Sequence, residues 1–545
     1  MGIRVAGRRA MRQILMAAAV SLTGAVVFGQ VGARPDDGPI PMGTTKGDTY
    51  KRLIIRNVTV ISGRGEPGTN RAMPPEGSMD LVIENGLITN LILNDAVNTR
   101  TRGDKGQTAG DKVIDATGMF VIPGLVEMHA HLPGPKGGGP LGDRALEYAY
   151  RLYLGHGITT VRDAGTGGGI SEMGEQRRLS NEHQIVAPRL VLCQRWPLPL
   201  TTWNEGDTPD KARAMVRKFK QLGADCIKIS KSPGHYPDVL KAAVEEGRSL
   251  NMFTMVDLKV SETSALVASN AGVASIEHFY GLPEAGLEGS QSFPTDYDYW
   301  DENKRFRWAG RLWTEAERLH PERISALLDT MIKNGTNWNP TMAAYEDNRD
   351  FARGMTLPFR ETLYTAGMLA KWGPDPSTHG EYHSIWGTAD ELAWRDFYRI
   401  WMKYIREFYL KGGLLTVGSD QGDIGGLGVI RELELMQEAG VKPLDVFKLA
   451  TTNAARVLGF EKHCGVRVGC AADLAIVNGN PWENVKVMYG RGYGYYGTVA
   501  RDKQVGMGGV KWTIKDGVVY DAQALLREVE WYVQRTKAAP KKTTS

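Results

Sequence analysis

The 545-residue chain is short of cysteine, of net charge and of long apolar runs, and each shortage removes a class of protein. Only four cysteines occur: Cys193, Cys226, Cys464 and Cys470. They are too few for a disulfide framework, and no CxxC pair offers a thiolate metal clamp or a redox couple. Cys464 and Cys470 would suit a pair in an oxidising compartment or two free thiols equally well. Charge is nearly balanced, with 66 basic against 62 acidic residues. Four of the basic residues, Arg4, Arg8, Arg9 and Arg12, fall in the first 33 positions, which hold no acid, so the remainder stands at 62 against 62. A neutral body gives no electrostatic reason to expect nucleic acid as partner. The apolar run Ile14–Phe28 has 15 residues, where a membrane span needs about 20. With 42% apolar and 23% charged residues, 65 Gly and 26 Pro, disorder, collagen-like repeats and coiled coil are excluded as the main architecture.

Residues 1–33 read as an export signal peptide. Arginines precede the apolar run, and small-residue cleavage sites follow at Val27-Phe28-Gly29 and Val31-Gly32-Ala33. The mature protein is therefore expected to be exported, periplasmic or secreted, by the general route or, through Arg8-Arg9, a twin-arginine route. An uncleaved anchor is the alternative. No later segment is long and apolar enough to span, so no integral membrane span is expected once the signal is removed. A polar Gly/Pro-rich linker occupies 34–48.

Short strand patterns joined by tight turns fill 49–124: Leu53–Ile61, then Leu81–Glu84 turning at Asn85-Gly86, then Lys112–Asp115 and Val121–Gly124. Comparable text returns in 463–522, at Asp473–Val477 and Val510–Gly517. The two chain ends are expected to build one small β-sandwich domain. Between them, 125–462 alternates helix-like and strand-like segments. Eight strands are read at Leu125–His131, Gly157–Val161, Arg189–Leu192, Ala224–Ile229, Asn251–Val256, Ala274–His278, Asn337–Met342 and Leu414–Asp420. Each has room for a crossover helix, which predicts an α/β fold, a (β/α)8 TIM-type barrel. The stretch exceeds the roughly 250 residues typical of that fold, and the surplus is placed in insertions at about 281–330 and 343–410. Residues 523–545 read as a C-terminal helix and polar tail.

The chemistry sits in Pro123-Gly124-Leu125-Val126-Glu127-Met128-His129-Ala130-His131. Strand side chains alternate faces, so His129 and His131 point into one cavity. Two imidazoles at the C-terminal end of a barrel strand suit a divalent ion. Two polar barrel residues are the plain alternative, which the place of the motif on the first of eight strands argues against.

In these residues the chain resembles the amidohydrolase superfamily, and within it the prolidase- and imidazolonepropionase-like branch. The resemblance runs from about Tyr50 to Tyr520. It takes in Val113-Ile114-Asp115-Ala116-Thr117-Gly118, Gly157-Ile158-Thr159-Thr160-Val161-Arg162-Asp163, Gly223-Ala224-Asp225-Cys226-Ile227-Lys228, Ser275-Ile276-Glu277-His278, Gly418-Ser419-Asp420 and Ala450-Thr451-Thr452-Asn453. It implies a divalent metal, zinc by preference, with His129, His131 and Asp420 on the more buried ion. It also implies that Lys228 carries a carbon dioxide adduct as a bridging carbamate and that His278 serves a second metal. Asp420 would be the catalytic group, taking a proton from metal-bound water and passing one to the leaving group.

One expected ligand is missing. The family carries a strand-five histidine about twenty residues before the strand-six histidine. Here that stretch reads Phe253-Thr254-Met255-Val256-Asp257-Leu258-Lys259. Asp257 is a possible replacement, since zinc and manganese accept oxygen ligands; an empty outer site is the other outcome, so one metal is favoured over two. Thr201–Gly206 likewise lacks the glycine-flanked histidine of close relatives. His235, in the loop after strand four, and Tyr345 are further candidates for metal or substrate. His379 and His383 share a helical spacing that Pro374, Pro376 and Gly380 argue against, while His156, His183, His320 and His463 read as surface or helix-end residues.

The insertions are rich in aromatics, with Phe293, Tyr297, Tyr299, Trp300, Phe306, Trp308 and Trp313 in the first and Trp386, Trp394, Phe397, Tyr398 and Trp401 in the second. They fit either a lid over the pocket or packing of the insertions on each other. The expected function is an exported metal-dependent amidohydrolase that cleaves an amide or peptide-like C–N bond in a small-molecule or peptide-like substrate. The alternative is a catalytically impaired barrel acting as a binding or assembly component; a homo-oligomer is possible for either.

Overall fold

The structure, a computed structural model, describes residues 38–538 except 67–70, 95–108, 138–141, 166–168, 197–205, 231–235, 260–262, 291–296, 299–300, 356, 358, 372–384, 422–423, 492 and 496–504. The proposed signal peptide, His235, His379, His383 and most of the strand-three loop thus lie outside the described residues. Among the described residues no helix is long and apolar enough to cross a membrane.

Strands β1 (Arg52–Val60), β2 (Glu76–Glu84), β3 (Leu87–Leu93), β4 (Lys112–Asp115) and β5 (Met119–Pro123) open the chain. Asn85 and Gly86, with φ of 51° and 73°, make the tight turn between β2 and β3 that Asn-Gly favours. The barrel follows with β6 (Leu125–Ala130), β7 (Ile158–Asp163), β8 (Arg189–Trp196), β9 (Cys226–Ile229), β10 (Phe253–Val256), β11 (Ser275–Glu277) and β12 (Asn337–Asn339). These seven are parallel and neighbour one another in chain order. Every residue of β6 and β7 is buried, as expected of parallel strands covered on both faces. The crossover helix Pro209–Gln221 shows how the outer layer is specified. Thr208 caps its N-terminus, proline starts it, and Ala212, Met215, Val216 and Phe219 form its buried stripe.

The eighth segment, 414–420, closes the ring without being a regular strand. Leu415 bridges Trp338 in parallel, Thr416 N donates to Trp338 O, and on the other side Met128 N donates to Val417 O and Asp420 N to His129 O. Its irregularity has a steric cause. A Cβ on Gly418 would lie 2.6 Å from Asn339 Nδ2 and 2.8 Å from His129 N, so the backbone comes nearer its neighbours than a side chain permits.

Strands β13 (Leu474–Asn478), β14 (Tyr493–Tyr495), β15 (Val505–Met507), β16 (Val510–Lys515) and β17 (Val518–Asp521) complete the set. The two ends of the chain combine in one eight-stranded sheet, β17-β16-β13-β5-β1-β2-β3 with β4 on β1. Leu53, Ile55, Leu81, Ile83, Ile114, Leu474, Ile476 and Ile514 form its own apolar core. A partly buried ion network joins it to the barrel. Arg189 at the start of β8 holds Asp473, with Nη1 2.5 Å from Oδ2, and Asp516.

The aromatic insertions pack chiefly on each other in the described residues. Phe306, on helix Glu302–Leu319, stacks on Trp394 of helix Thr388–Leu410 at 5.5 Å, and Phe279 lies 4.7 Å from Phe397 and 5.2 Å from Trp401. All four cysteines are paired, Cys464 with Cys470 and Cys193 with Cys226. The second bond has no counterpart in the sequence reading. Its partners are 33 residues apart, and only the β8–β9 register sets them side by side.

Candidate metal centre

His129 and His131 reach the C-terminal mouth of the barrel from β6 and the residue after it, and Asp420 reaches it from the eighth segment. Their ligand atoms, two imidazole nitrogens and a carboxylate oxygen, all lie within 4.8 Å of one another. Asp420 Oδ1 is 3.3 Å from His131 Nε2 and 3.6 Å from His129 Nε2. The other ring nitrogens are already engaged: His129 Nδ1 lies 2.7 Å from Glu277 Oε2, and His131 Nδ1 lies 3.1 Å from Gly165 O. Both acceptors hold the ring proton on Nδ1, which leaves the two Nε2 lone pairs facing Asp420. That donor set fits a divalent ion.

Lys228 on β9 is 2% exposed, with Nζ 2.9 Å from His129 Nε2. Burial pulls its amine below the usual lysine range, against the opposing pull of Asp257, Glu277 and Asp420. Asp420 is held well below the usual carboxylate range. Burial pushes it up, but His129, His131 and His278 together outweigh that. His278, also buried, lies with Nδ1 2.6 Å from Thr341 Oγ1 and 3.9 Å from Asp420 Oδ2, and its ring is 4.7 Å from that of His129. Burial draws it below the ordinary histidine value, with Asp257 and Asp420 acting the other way.

Asp257 follows β10 at the position the missing histidine would take. Ser230 Oγ donates to its Oδ2 at 3.1 Å, while Oδ1 is buried without a hydrogen bond. Tyr345 is buried with its ring 5.5 Å from that of His278, which makes it a wall of the site. The candidates therefore divide into a tight inner group (His129, His131, Asp420, Lys228) and an outer rim of His278, Asp257 and Tyr345.

Three residues of the site lie in the left-handed region: His278 at φ 66°, Thr341 at 54° and Asp420 at 54°. Such conformations cost of order 1–3 kcal/mol each and persist where the surroundings impose them. At His278 the consequence is specific. On a regular strand Glu277 and His278 would face opposite sides, and the turn lets both contribute to one site.

Three supporting residues, Glu277, Arg162 and Glu127, were not apparent from the sequence. Glu277 receives His129 Nδ1–H, both Arg162 Nη2 contacts at 2.9 and 2.8 Å, and Asn339 Nδ2 at 2.8 Å. Arg162 also donates through Nε to Met128 O, tying Glu277 to the β6 backbone. Thr341 Oγ1 sits against His278 Nδ1, as noted. Glu127 accepts from the backbone N–H of His129 at 2.8 Å and Ser419 at 2.9 Å, and burial pushes its carboxyl up to about 8. Strand parity with His129 was a signal that could have found Glu127. A second set of metal-type donors, His463, Asp473 and Asp516, already encloses the Arg189 guanidinium and is an ion network.

Residues 404–519 match the Amidohydrolase family profile. Over 235 residues the chain is 32% identical to the imidazolonepropionase of Symbiobacterium thermophilum, a match covering 42% of this chain and 51% of that relative. These likenesses support membership of the amidohydrolase superfamily. Aligned stretches thus span about half the length of that curated relative. Solved amidohydrolases share the fold over far more of the chain. A bottromycin amidohydrolase superposes with a TM-score of 0.60 at 16% identity, covering 90% of this chain and 91% of that one. A Xaa-Pro dipeptidase with bound methionine does so at 0.54 and 18%, covering 86% and 100%.

Proposed function

We propose that this amidohydrolase is an exported hydrolase of an amide or peptide-like C–N bond, using one divalent metal, zinc by preference, held by His129, His131, Asp420 and a carbamate on Lys228. The observation that carries the reading is the meeting of two imidazole Nε2 atoms, the Asp420 carboxylate and the Lys228 amine at one point of the barrel mouth. A divalent ion bound there lowers the pKa of water from 15.7 toward about 7 and supplies a nucleophile at neutral pH.

The remaining steps belong to the chain. Asp420, ionised and buried beside the imidazoles, accepts the proton of the attacking water and returns it to the departing nitrogen. Lys228, favoured as a neutral amine by burial, attacks carbon dioxide through Nζ and loses a proton, giving an anionic carbamate with two oxygens. Glu277 and Arg162 hold the His129 ring in place. His278 and Asp257 border the outer side, where a second ion would have a weaker set of donors.

The dipeptidase likeness makes a dipeptide or acyl-amino acid the first class of substrate to test. Export to an oxidising compartment is supported by the arginine-then-apolar N-terminus and by the pairing of all four cysteines. Elemental analysis of protein purified without chelator, with His129→Ala as control, tests the centre. About one ion per chain is expected in the wild type and none in the variant. No ion in the wild type overturns the reading.

A further inference from the structure

Helix Thr388–Leu410, in the second insertion, has an inner face that the fold uses and an outer face that stands in solvent. Trp394, Phe397, Trp401 and Phe408 are buried on the inner face, and the Trp401 ring lies 6.2 Å from that of Tyr345, the wall of the metal centre. On the outer face Leu392, Arg395, Arg399, Lys403, Arg406 and Leu410 are exposed and recur at helical spacing, so they form one stripe. Asp396 is the one exposed acid on it. Leu392 and Leu410 are 56% and 59% exposed. They stand eighteen positions apart, about five turns, which returns them to the same side of the helix with the four cations between them.

The stripe borders a groove of about 330 Å³ beside the C-terminal end of helix Gly425–Glu438. Arg349, Arg395, Arg399 and Lys403 line it against a single carboxylate, Glu438. That carboxylate is already held by Arg349 at 2.8 Å, and Lys403 is held by Glu317 at 2.6 Å. Arg399 reaches Asp396 only at 4.0 Å, and Arg395 and Arg406 pair with no described residue. By contrast, Arg178 on helix Gly169–Asn181 is matched by both Glu175 and Glu182 at 2.6 Å.

Two features choose the partner. Unmatched arginines beside an open groove suit a phosphate, whose oxygens a guanidinium binds in pairs. A soluble anion makes no use of leucines held in water at both ends of the same stripe. A bilayer interface, however, takes up basic and apolar side chains from one helix face.

We propose that the outer face of helix Thr388–Leu410 docks the protein on an anionic phospholipid surface. Headgroup phosphates meet Arg395, Arg399 and Arg406, while Leu392 and Leu410 enter the interface. The helix lies on the bilayer and does not cross it. Because its inner face backs onto Tyr345, docking holds the wall of the metal centre about one helix diameter, roughly 10 Å, from the membrane surface. The inference needs neither a bound metal nor hydrolysis.

Flotation of the mature protein with vesicles of phosphatidylcholine, alone or with about 30% phosphatidylglycerol, tests the surface. Partition onto the anionic vesicles is expected to exceed that onto the neutral ones at least about tenfold, and to collapse at about 0.5 M salt. Arg395→Gln with Arg406→Gln should weaken it by about fivefold per arginine. Leu392→Ser with Leu410→Ser should weaken it several-fold and keep its salt dependence. Lys218→Gln with Lys220→Gln, two exposed cations on helix Pro209–Gln221, should leave it unchanged and so separates the stripe from net charge. Equal binding to both vesicles, binding to neither, full binding by the arginine or the leucine variant, or an equal loss in the Lys218/Lys220 variant overturns the proposal. Capture of heparin without capture of vesicles assigns the face to a soluble polyanion and overturns the lipid. A dimer in sedimentation that becomes a monomer in the leucine variant assigns the face to a second copy of the chain, with the same consequence.

Discussion

Glu277 Oε2 lies 2.7 Å from His129 Nδ1, with both side chains fully buried. That contact decides which nitrogen of the ring faces Asp420, because a carboxylate also bound by Arg162 can only accept the imidazole proton. Glu277→Gln keeps the size and loses the charge. Partners that orient a ligating histidine typically change metal affinity about 10–100-fold when removed, and a fall of that order is expected here by chelator competition. The variant also strands Arg162 as a buried charge, so a stability loss of about 3–5 kcal/mol should accompany it. Unchanged affinity in a folded Glu277→Gln protein would rule out the positioning role.

Lys228 gives a second prediction. A carbamate contributes anionic oxygens that no natural side chain at position 228 reproduces in length. Lys228→Ala is expected to lose at least about a hundredfold in kcat, a barrier rise of roughly 2.7 kcal/mol. Added short carboxylates such as acetate or propionate should restore part of the rate by filling the space. Labelled carbon dioxide should give a carbamate resonance in the wild type that is absent from Lys228→Ala. A wild type without that resonance means that Lys228 acts as an amine.

The Cys193–Cys226 bond closes a loop of 33 residues between adjacent barrel strands, and Lys228 lies two residues beyond its second end. Loop-closure entropy for that length amounts to about 3–4 kcal/mol. Replacing both cysteines with alanine should lower the midpoint of urea unfolding accordingly. The denatured, unreduced wild type should show no free thiol. Two free thiols there would mean that one pair is open and would remove the cysteine argument for an oxidising compartment.

What the sequence disclosed follows from which forces are local. The order of the barrel strands is legible because each is an apolar run followed by a helix pattern, and β6 carries its histidines in plain alternation. The eighth strand is read correctly in place but not in form, because the close approach of Gly418 to Asn339 and His129 is a tertiary fact. Arg162 and Glu277 could not be singled out, since 115 residues separate them and only the barrel brings their strands to one site. Asp257 was legible only as a departure from the family pattern. Its surroundings of Arg195, Lys259 and Ser230 emerge from the packing of three strands. The aromatic insertions were ambiguous for a related reason: composition marks rings as buried without saying whether they pack on a ligand or on each other.

Stability against pH should carry the mark of Lys515, which is fully buried on β16 with Nζ 2.7 Å from Ser180 O and 2.9 Å from Ser180 Oγ. Burial lowers its amine to about 8, with Asp516 acting the other way and Arg189 adding to the fall. The folded value therefore lies below the unfolded one near 10.4. Between the two the unfolded chain binds more protons, so stability rises with pH from about 8 to 10.4, at up to about 1.4 kcal/mol per unit. It is lost again as pH falls through 8, where the buried amine must take its charge. Lys515→Met removes the titrating group. Urea midpoints measured at pH 7.5, 8.5 and 9.5 should climb less steeply in the variant than in the wild type, and parallel curves would show that Lys515 keeps its ordinary affinity for the proton in the fold.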